Sequence, residues 1–407
     1  MASELSLIQF IMGVKDTKVI GFECIGENAN KIIHLHVIPV QQKCCPYCGN
    51  VCPGYDHHSS KPRKWRDVDY GECKVFLVYH LNRINCPEHG IVTEAVPWAN
   101  KGDRFTKAFR TKISQRVLDS SNSAVSKSLR VDWKTVERHV HFTVMSDKQT
   151  TTSLDGLISI GVDETSYQKG HKYITVVINH ETNKVIWVED KHGLNIFRKF
   201  FDSLTPVQKL SIKHVSGDGA RWIDQCINEH VPHASRSLDP FHIVQWFGES
   251  LDKIRISEYR RLRKGGKIDF SKSVKSSAYT LAKSEKDHTE KQREKLKIIK
   301  NHAPKLYSAY QIKEFLRQII RDKDIENANN NINKLIFRLA HSKFTCLKEL
   351  GKKLKRHKES LINSLKFKIS NARIESGNNK IKLLIRRAFG YRNIVNLKRH
   401  IYFAYSQ

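Results

Sequence analysis

Two things are scarce in this 407-residue chain: long apolar runs and acidic side chains. No stretch approaches the ~18 consecutive apolar residues that a membrane-crossing helix needs, so no transmembrane span is predicted. The apolar stretch LSLIQFIMGV near the start is short, follows Glu4 rather than a basic flank and lacks a cleavage site. It is therefore not read as a signal peptide, and the expected location is the cytoplasm. Asp and Glu number 41 against 71 Lys and Arg, a net charge of +30. Such an excess goes beyond what solubility needs and points to a polyanionic partner, nucleic acid first. A generally basic proteome is the bland alternative. Cysteine is nearly absent after residue 90, where only Cys226 and Cys346 of the nine fall. The odd count and the CxxC spacing favour metal binding over a disulfide framework. The length allows two or three domains with a sizeable core.

The clustered cysteines form two matched half-sites. Cys45-Pro-Tyr-Cys48-Gly has the spacing that lets two thiolates reach one metal, with a glycine for the tight turn. Cys86-Pro-Glu-His89-Gly repeats it with His in the last place. Together they predict a ribbon-like Cys3His site for structural Zn2+, because four protein ligands leave no open coordination position. Cys44 and Cys52 are rival ligands, His57 and His58 weaker ones. The plainer alternative is a small β domain with reduced, unliganded cysteines. The stretch CKVFLVYHLNRIN between the half-sites alternates like one strand entering the second knuckle.

Residues 104–142 read as helical. RFTKAFRTKISQRVL is amphipathic; Ser121 or Asn122 caps SAVSKSLR, and Asp132 caps WKTVERHVHF. The short link before Asp132 suits a helix-turn-helix whose second helix presents Lys134, Thr135, Arg138 and His139 to a major groove. An ordinary helical hairpin is the alternative.

From residue 155 the pattern turns to strands. LISIGVDE, HKYITVVIN and NKVIWVED read as an antiparallel meander. A helix at NIFRKFFDSL, a strand at SIKHVSG, a helix around WIDQCINEHV and a short strand near ASRSLD follow. The order β-β-β-α-β-α-β is that of an RNase H-like fold, in which the first and fourth strands lie side by side. Asp163 and Asp218 each close an apolar run in those two strands, so they are expected to converge. Glu375 lies far downstream, where NARIESGNNKIKLLIRRAFGYRN opens a basic amphipathic helix. Two strand aspartates and a helical glutamate suit a pair of Mg2+ or Mn2+ ions for phosphodiester chemistry, since hard cations favour carboxylate oxygens. One ion would activate the attacking oxygen and the other stabilise the leaving oxygen. Aspartates also end strands simply because turns favour them. Glu164, Glu189, Asp190, Asp224 and Asp239 compete for the same roles.

Residues 243–370 carry almost no strand signal and are rich in Lys and Arg. They are expected to form a helical insertion, interrupted at Lys264-Gly265-Gly266-Lys267 and by the Asn-rich ENANNNINK. EYRRLRKGGK and KDHTEKQREKLKIIKNH could serve as a DNA-backbone surface or as solvated helix faces. Beyond Glu375, Lys380, Lys382, Arg386 and Arg387 would grip phosphates beside the cut.

These motifs carry a resemblance over nearly the full length. CPYCG, CPEHG leading to VPWA, RFT, VDETSYQKGHKY, GDGARW, LDPFHIVQW and IESGNNKIKLLIRRAFGYRN resemble, in that order, the ISL-three type of bacterial insertion-sequence transposases of the DDE group. Ser376 stands where Gly is usual, and His89 where the second knuckle usually has Cys. The resemblance implies an acidic triad of Asp163, Asp218 and Glu375, with Asp239 and His242 of DPFH as active-site support. It implies a nucleoid-associated bacterial enzyme that binds double-stranded DNA, both terminal inverted repeats and target, as a homodimer or larger assembly. The expected division is a zinc-binding domain at 1–100, a helix-turn-helix at 101–150, and an RNase H-like α/β catalytic core at 151–407 with its helical insertion. A domesticated DNA-binding regulator and an RNase H-like structure-specific nuclease are the alternatives.

Overall fold

The computed structural model describes residues 4–27, 31–56, 61–151, 154–367 and 372–406. The chain forms two compact units, Met1–Ser146 with Arg386–Phe389, and Asp147–Ile385 with Gly390–Gln407.

The first unit begins with helix α1 (Glu4–Met12) and strands β1 (Thr17–Ile25) and β2 (Ile32–Pro39). These are followed by β3 (Gly54–Asp56), β4 (Arg63–Arg66), β5 (Lys74–Tyr79), β6 (Arg83–Cys86) and β7 (Gly90–Thr93). One sheet has the order β1-β2-β5-β4 and a second the order β3-β6-β7. The stretch expected as a single strand into the second knuckle is therefore two strands in different sheets. The chain breaks at Leu81 and Asn82, where the buried Glu94 carboxylate accepts from the Asn82 backbone N–H at 2.6 Å and the Tyr79 hydroxyl at 3.0 Å. Glu94 also accepts from the Lys43 N–H at 2.7 Å, so one carboxylate ties the knuckle to the larger sheet. Trp65 and Trp98 meet edge-to-face at 5.5 Å in that sheet's core, with Leu35, Val75 and Leu77.

Three helices complete this unit: α2 (Lys107–Asp119), α3 (Asn122–Leu129) and α4 (Trp133–Thr151). Thr106 caps α2, Ser121 rather than Asn122 caps α3, and Asp132 Oδ1 accepts the Lys134 N–H at 2.7 Å at the start of α4. The turn between α3 and α4 passes through Arg130 at φ 52, a left-handed position that glycine usually takes. Arg130 is held there by Asp69, with its Nε 3.1 Å from Oδ2. Val125, Leu129, Val136 and Val140 recur at helical spacing and are buried.

The second unit opens with β8 (Ser159–Gln168), β9 (Lys172–Asn179) and β10 (Val185–Asp190). Helices α5 (Leu194–Asp202) and α6 (Pro206–Ser211), strand β11 (His214–Gly217), helix α7 (Arg221–His230) and strand β12 (Ser235–Leu238) follow. The sheet order is β10-β9-β8-β11-β12, with β8–β11 and β11–β12 parallel. The first and fourth strands are neighbours, as the element order predicts. Alternation sorts the side chains to two faces. Ile160, Val162 and Val177 pack with Phe197, Phe200 and Phe201 of α5 and Ile223 of α7. Ile174, Val176 and Ile178 face Ile381, Leu397 and Ile401. Each fully buried Phe contributes roughly 1.5–3 kcal/mol of burial energy. The short helix α6 has no counterpart in the sequence reading; Thr205 and Gln208 form a capping box around Pro206 that starts it.

After β12 come α8 (Pro240–Lys264), α9 (Ile268–Lys275), α10 (Ala278–Ala282), α11 (Glu290–His302) and α12 (Pro304–Arg321). They are followed by α13 (Ile325–Ala340), α14 (Thr345–Arg356) and α15 (Lys358–Phe367), then α16 (Ala372–Arg387) and α17 (Ile394–Ser406). The break at Gly265-Gly266 is where the sequence puts it. The Asn-rich stretch, expected as an interruption, is instead the first half of α13. Asp324 caps it, and Ala328, Ile332, Leu335 and Leu339 bury one face. That burial outweighs the low helix propensity of Asn.

Candidate active site and metal centre

The β8–β11 register pairs His214 with Ser159, Val215 with Ile160 and Ser216 with Gly161. Carried two residues further, it sets Asp218 abreast of Asp163. The β11–β12 register pairs Gly217 with Leu238, so Asp239 is the next residue abreast of Asp218. Extended in this way, the registers line up Asp163 in β8 with Asp218 and Asp239, the residues that follow β11 and β12. Asp163 does not end its strand, as the sequence reading had it. β8 continues to Gln168 because β9 pairs with it as far as Lys172. Close packing here requires glycine, since a Cβ on Gly217 would lie 2.9 Å from Ile223 Cδ1 and 3.0 Å from Val162 Cγ1.

Two hydrogen bonds hold the Asp163 carboxylate among the described residues. Its Oδ1 accepts the Glu164 N–H at 2.7 Å, and its Oδ2 accepts from Asn378 Nδ2 at 2.5 Å. Burial pushes the Asp163 carboxyl up to about 6, and Asp218 pushes the same way; the Glu164 N–H, His242 and Lys382 pull it down. A half-buried carboxylate beside a second one is a donor set that suits a divalent cation. Asp218 Oδ1 accepts the Ala220 N–H at 3.0 Å, which closes the turn after β11.

The helix bearing Glu375 is α16. The Glu375 side chain lies outside the described residues, but the next turn does not. Asn378 is buried on Asp163, and Lys382, a turn further, is exposed and acts on the same carboxyl. Lys380, Arg386 and Arg387 are exposed on α16. Asn378 is the residue that the sequence reading missed. Its signal was present in the GNNK run, but nothing in one sequence ties that amide to a strand so distant.

The competing acids have other partners. Glu189 pairs with Lys398 at 2.9 Å, Asp224 with Arg236 at 3.0 Å, and Glu164 with His192 at 3.4 Å. Asp190 Oδ1 accepts the Tyr167 hydroxyl at 3.3 Å. Asp239 caps α8 through the Phe241 N–H at 2.9 Å, and this places His242 in the first turn of that helix, half-buried and within electrostatic reach of Asp163.

In the first unit, the ligand atoms of Cys45, Cys48, Cys86 and His89 all lie within 4.8 Å of one another. Three thiols and an imidazole at that separation form a donor set that fits tetrahedral Zn2+. Cys44 and Cys52 stand outside this set; their thiols donate instead to backbone carbonyls, Cys52 to Asn50 at 3.4 Å. His57 and His58 lie outside the described residues.

On α4, Lys134 and Arg138 are exposed and Thr135 is half-buried. His139 is a correction: it is 5% exposed and cannot present itself to a groove. Arg110 Nη1 donates to its Nδ1 at 3.0 Å, so the proton sits on Nε2, which donates to Ser114 Oγ at 2.8 Å. Burial and the Arg110 charge hold its pKa down at about 4. Helical spacing put it near Thr135 and Arg138, but its angular position falls on the α2 side of the helix.

Comparison with known proteins gives the same assignment for all three regions. A family model described as a transposase of the ISL3 type matches residues 160–401. The helix-turn-helix domain of transposase family ISL3 matches residues 94–144. The zinc-finger of transposase IS204/IS1001/IS1096/IS1165 matches residues 41–89. The transposase for insertion sequence element IS1557 of Mycobacterium tuberculosis is 32% identical over 387 residues, 90% of this chain and 87% of the relative. The transposase for IS1001 of Bordetella parapertussis is 24% identical over 370 residues, 90% of each chain. A zinc ribbon, a helix-turn-helix and a sheet carrying an acidic row, matched in this way, define the class of insertion-sequence transposases. Within that class, the chain belongs to the ISL3 family. No helix among the described residues is long and apolar enough to cross a membrane.

Proposed function

We propose that this protein moves its own element: it binds the terminal inverted repeats, cleaves at the element ends and joins the freed 3′-hydroxyls to target DNA. The observation that carries this reading is the parallel β8–β11 register, which when extended brings Asp218 abreast of Asp163, with Asn378 of the Glu375 helix bonded to Asp163. Glu375 is three positions before Asn378, and residues at that spacing share a helix face. The strand order supports an RNase H-like core, and Asp163, Asp218 and Glu375 are the residues that would hold two Mg2+ or Mn2+ ions. Bound there, such a pair supplies charge to the attacking and leaving oxygens of an in-line displacement.

The chain's own groups do the rest. Asn378 fixes the rotamer of Asp163. Asp239 sets the start of α8 and hence His242. Lys380, Lys382, Arg386 and Arg387 grip phosphates along the strand to be cut. In the first step water adds to phosphorus and the 3′-oxygen of the element leaves with a proton. In the second, that 3′-hydroxyl attacks a target phosphorus and displaces a target 3′-oxygen. Cys45, Cys48, Cys86 and His89 would hold the zinc that shapes the ribbon at 1–100, and Lys134, Thr135 and Arg138 of the 101–150 region read the end sequence. The catalytic region is 151–407. Two ends held together call for a dimer or larger assembly on DNA, in the cytoplasm at the nucleoid.

The test is a supercoiled plasmid carrying the element ends, incubated with Mg2+. Wild-type protein nicks at the ends and Asp163→Ala does not. Absence of nicking by wild type, or equal nicking by both, overturns the reading.

A further inference from the structure

The helical insertion sets a lysine against the acidic row, and no motif in the sequence marks it. Gly219 follows Asp218 directly, and a Cβ at Gly219 would lie 2.5 Å from both Cζ2 and Cη2 of Trp246. The indole of α8 therefore rests on the turn that carries Asp218. Lys353 of α14 places its Nζ 3.4 Å from the centre of that indole. His357, a turn beyond Lys353, is buried; its Nε2 lies 3.7 Å from the same would-be Cβ and has no hydrogen-bond partner among the described residues. Lys353 is half-buried and has no ion-pair partner among the described residues. Burial lowers its pKa, while Glu249 and Asp218 attract its charge.

This is an unusual place to keep an unpaired cation. A lysine loses rotamer entropy when fixed, and a cation–π contact recovers only part of it. The carboxylates of the row repel a DNA strand, so a fixed cation at their edge offsets that repulsion where a phosphate must come closest. The ammonium is a compact point charge, suited to a single phosphate oxygen.

We infer that Lys353, seated on Trp246, binds a phosphodiester of the DNA strand held at the Asp163–Asp218 row. The inference rests on the reading of that row as a DNA-processing site. It extends the site to the insertion, whose helices α8 and α14 then supply substrate contacts as well as bulk.

The experiment measures binding of the full-length protein to a short duplex carrying one inverted repeat from the DNA flanking the gene. Binding is followed by fluorescence anisotropy across a salt series, without cleavage. Lys353→Met and Lys353→Gln are expected to reduce the slope of log Kd against log salt by about one, the loss of one phosphate contact. Lys353→Arg keeps the wild-type slope. A scan with single uncharged methylphosphonates should then find one phosphate whose neutralisation weakens wild type but leaves Lys353→Met unchanged. Thermal melting identifies any variant that fails to fold, and two neutral variants and the scan on wild-type protein remain if one does. A wild-type slope in both neutral variants overturns the inference. So does a scan in which every methylphosphonate weakens wild type and variant by the same factor, or a wild type that does not bind the duplex. Because nothing in this measurement depends on cutting, a wild type that binds but never nicks counts against the transposase reading and leaves the Lys353 result intact.

Discussion

Asn378 donates to Asp163 at 2.5 Å across 215 positions of sequence, and this bond pins α16 to β8. It gives the Glu375 helix a fixed station beside the acidic row. Asn378→Ala should leave DNA binding intact and lower end cleavage by about 10²-fold, the cost of a misplaced reacting group. A nicking assay beside a binding assay checks this; equal nicking would remove Asn378 from the site.

Asp218 and Asp239 stand abreast and each accepts the N–H two residues on, but only the Asp239 bond starts a helix. Asp239 is occupied as a helix cap, and Asn caps nearly as well as Asp. Asp239→Asn should therefore keep both melting temperature and nicking, while Asp239→Ala loses ~1 kcal/mol of stability. Asp218→Asn should abolish nicking with no change in melting. Loss of nicking in Asp239→Asn would make Asp239 the ligand.

The metal centre offers a direct count. Purified protein should carry one zinc per chain by elemental analysis, and Cys48→Ser or Cys86→Ser should lose it. Chelation should unfold the ribbon first, because structural zinc sites contribute folding energy outright. Binding to the element ends should fall with it. A variant that keeps its zinc after losing Cys86 would reassign the fourth ligand.

His139 predicts a pH dependence. Its folded pKa is near 4 against an ordinary 6.5, so the unfolded chain takes up the proton first as pH falls. The stabilisation is present above pH 6.5 and is lost as pH drops through 4. The shift corresponds to roughly 3 kcal/mol. Protection factors at the amides of α2 and α4, corrected for the intrinsic exchange rate, should fall between pH 7 and pH 5 in wild type and change less in His139→Gln.

On the exposed side of α4, Arg138→Ala and Lys134→Ala should weaken binding to the element end. A base contact costs ~1–3 kcal/mol and relaxes specificity at one position, and a phosphate contact lowers the salt slope alone. His139→Ala should instead lower stability, since it leaves Ser114 without its imidazole partner and removes one of the two side chains that hold Arg110, the other being Asp103. Unchanged binding by both exposed variants would move DNA recognition off this helix.

The sequence by itself determined the local chemistry. Spacing named Cys45, Cys48, Cys86 and His89, because a knuckle brings its own ligands close within a few residues. Apolar alternation named the strands, and their order placed β8 beside β11. Cap residues, Ser121 or Asn122 for α3 and Asp132 for α4, marked two of the helix starts. Each of these is a short-range rule, written in neighbouring residues.

Tertiary structure decided whatever depends on distant partners. It turned His139 inward, because the contact with Arg110 and Ser114 outweighs helical spacing. It made the Asn-rich stretch helical, because four buried aliphatic side chains pull it into the core. It carried β8 past Asp163, because β9 continues to pair with it. It also brought Asn378 to Asp163 and Lys353 to the turn at Asp218. A hydrogen bond or a cation–π contact leaves no periodicity in the chain, so only packing could reveal which amide and which lysine stand at the acidic row.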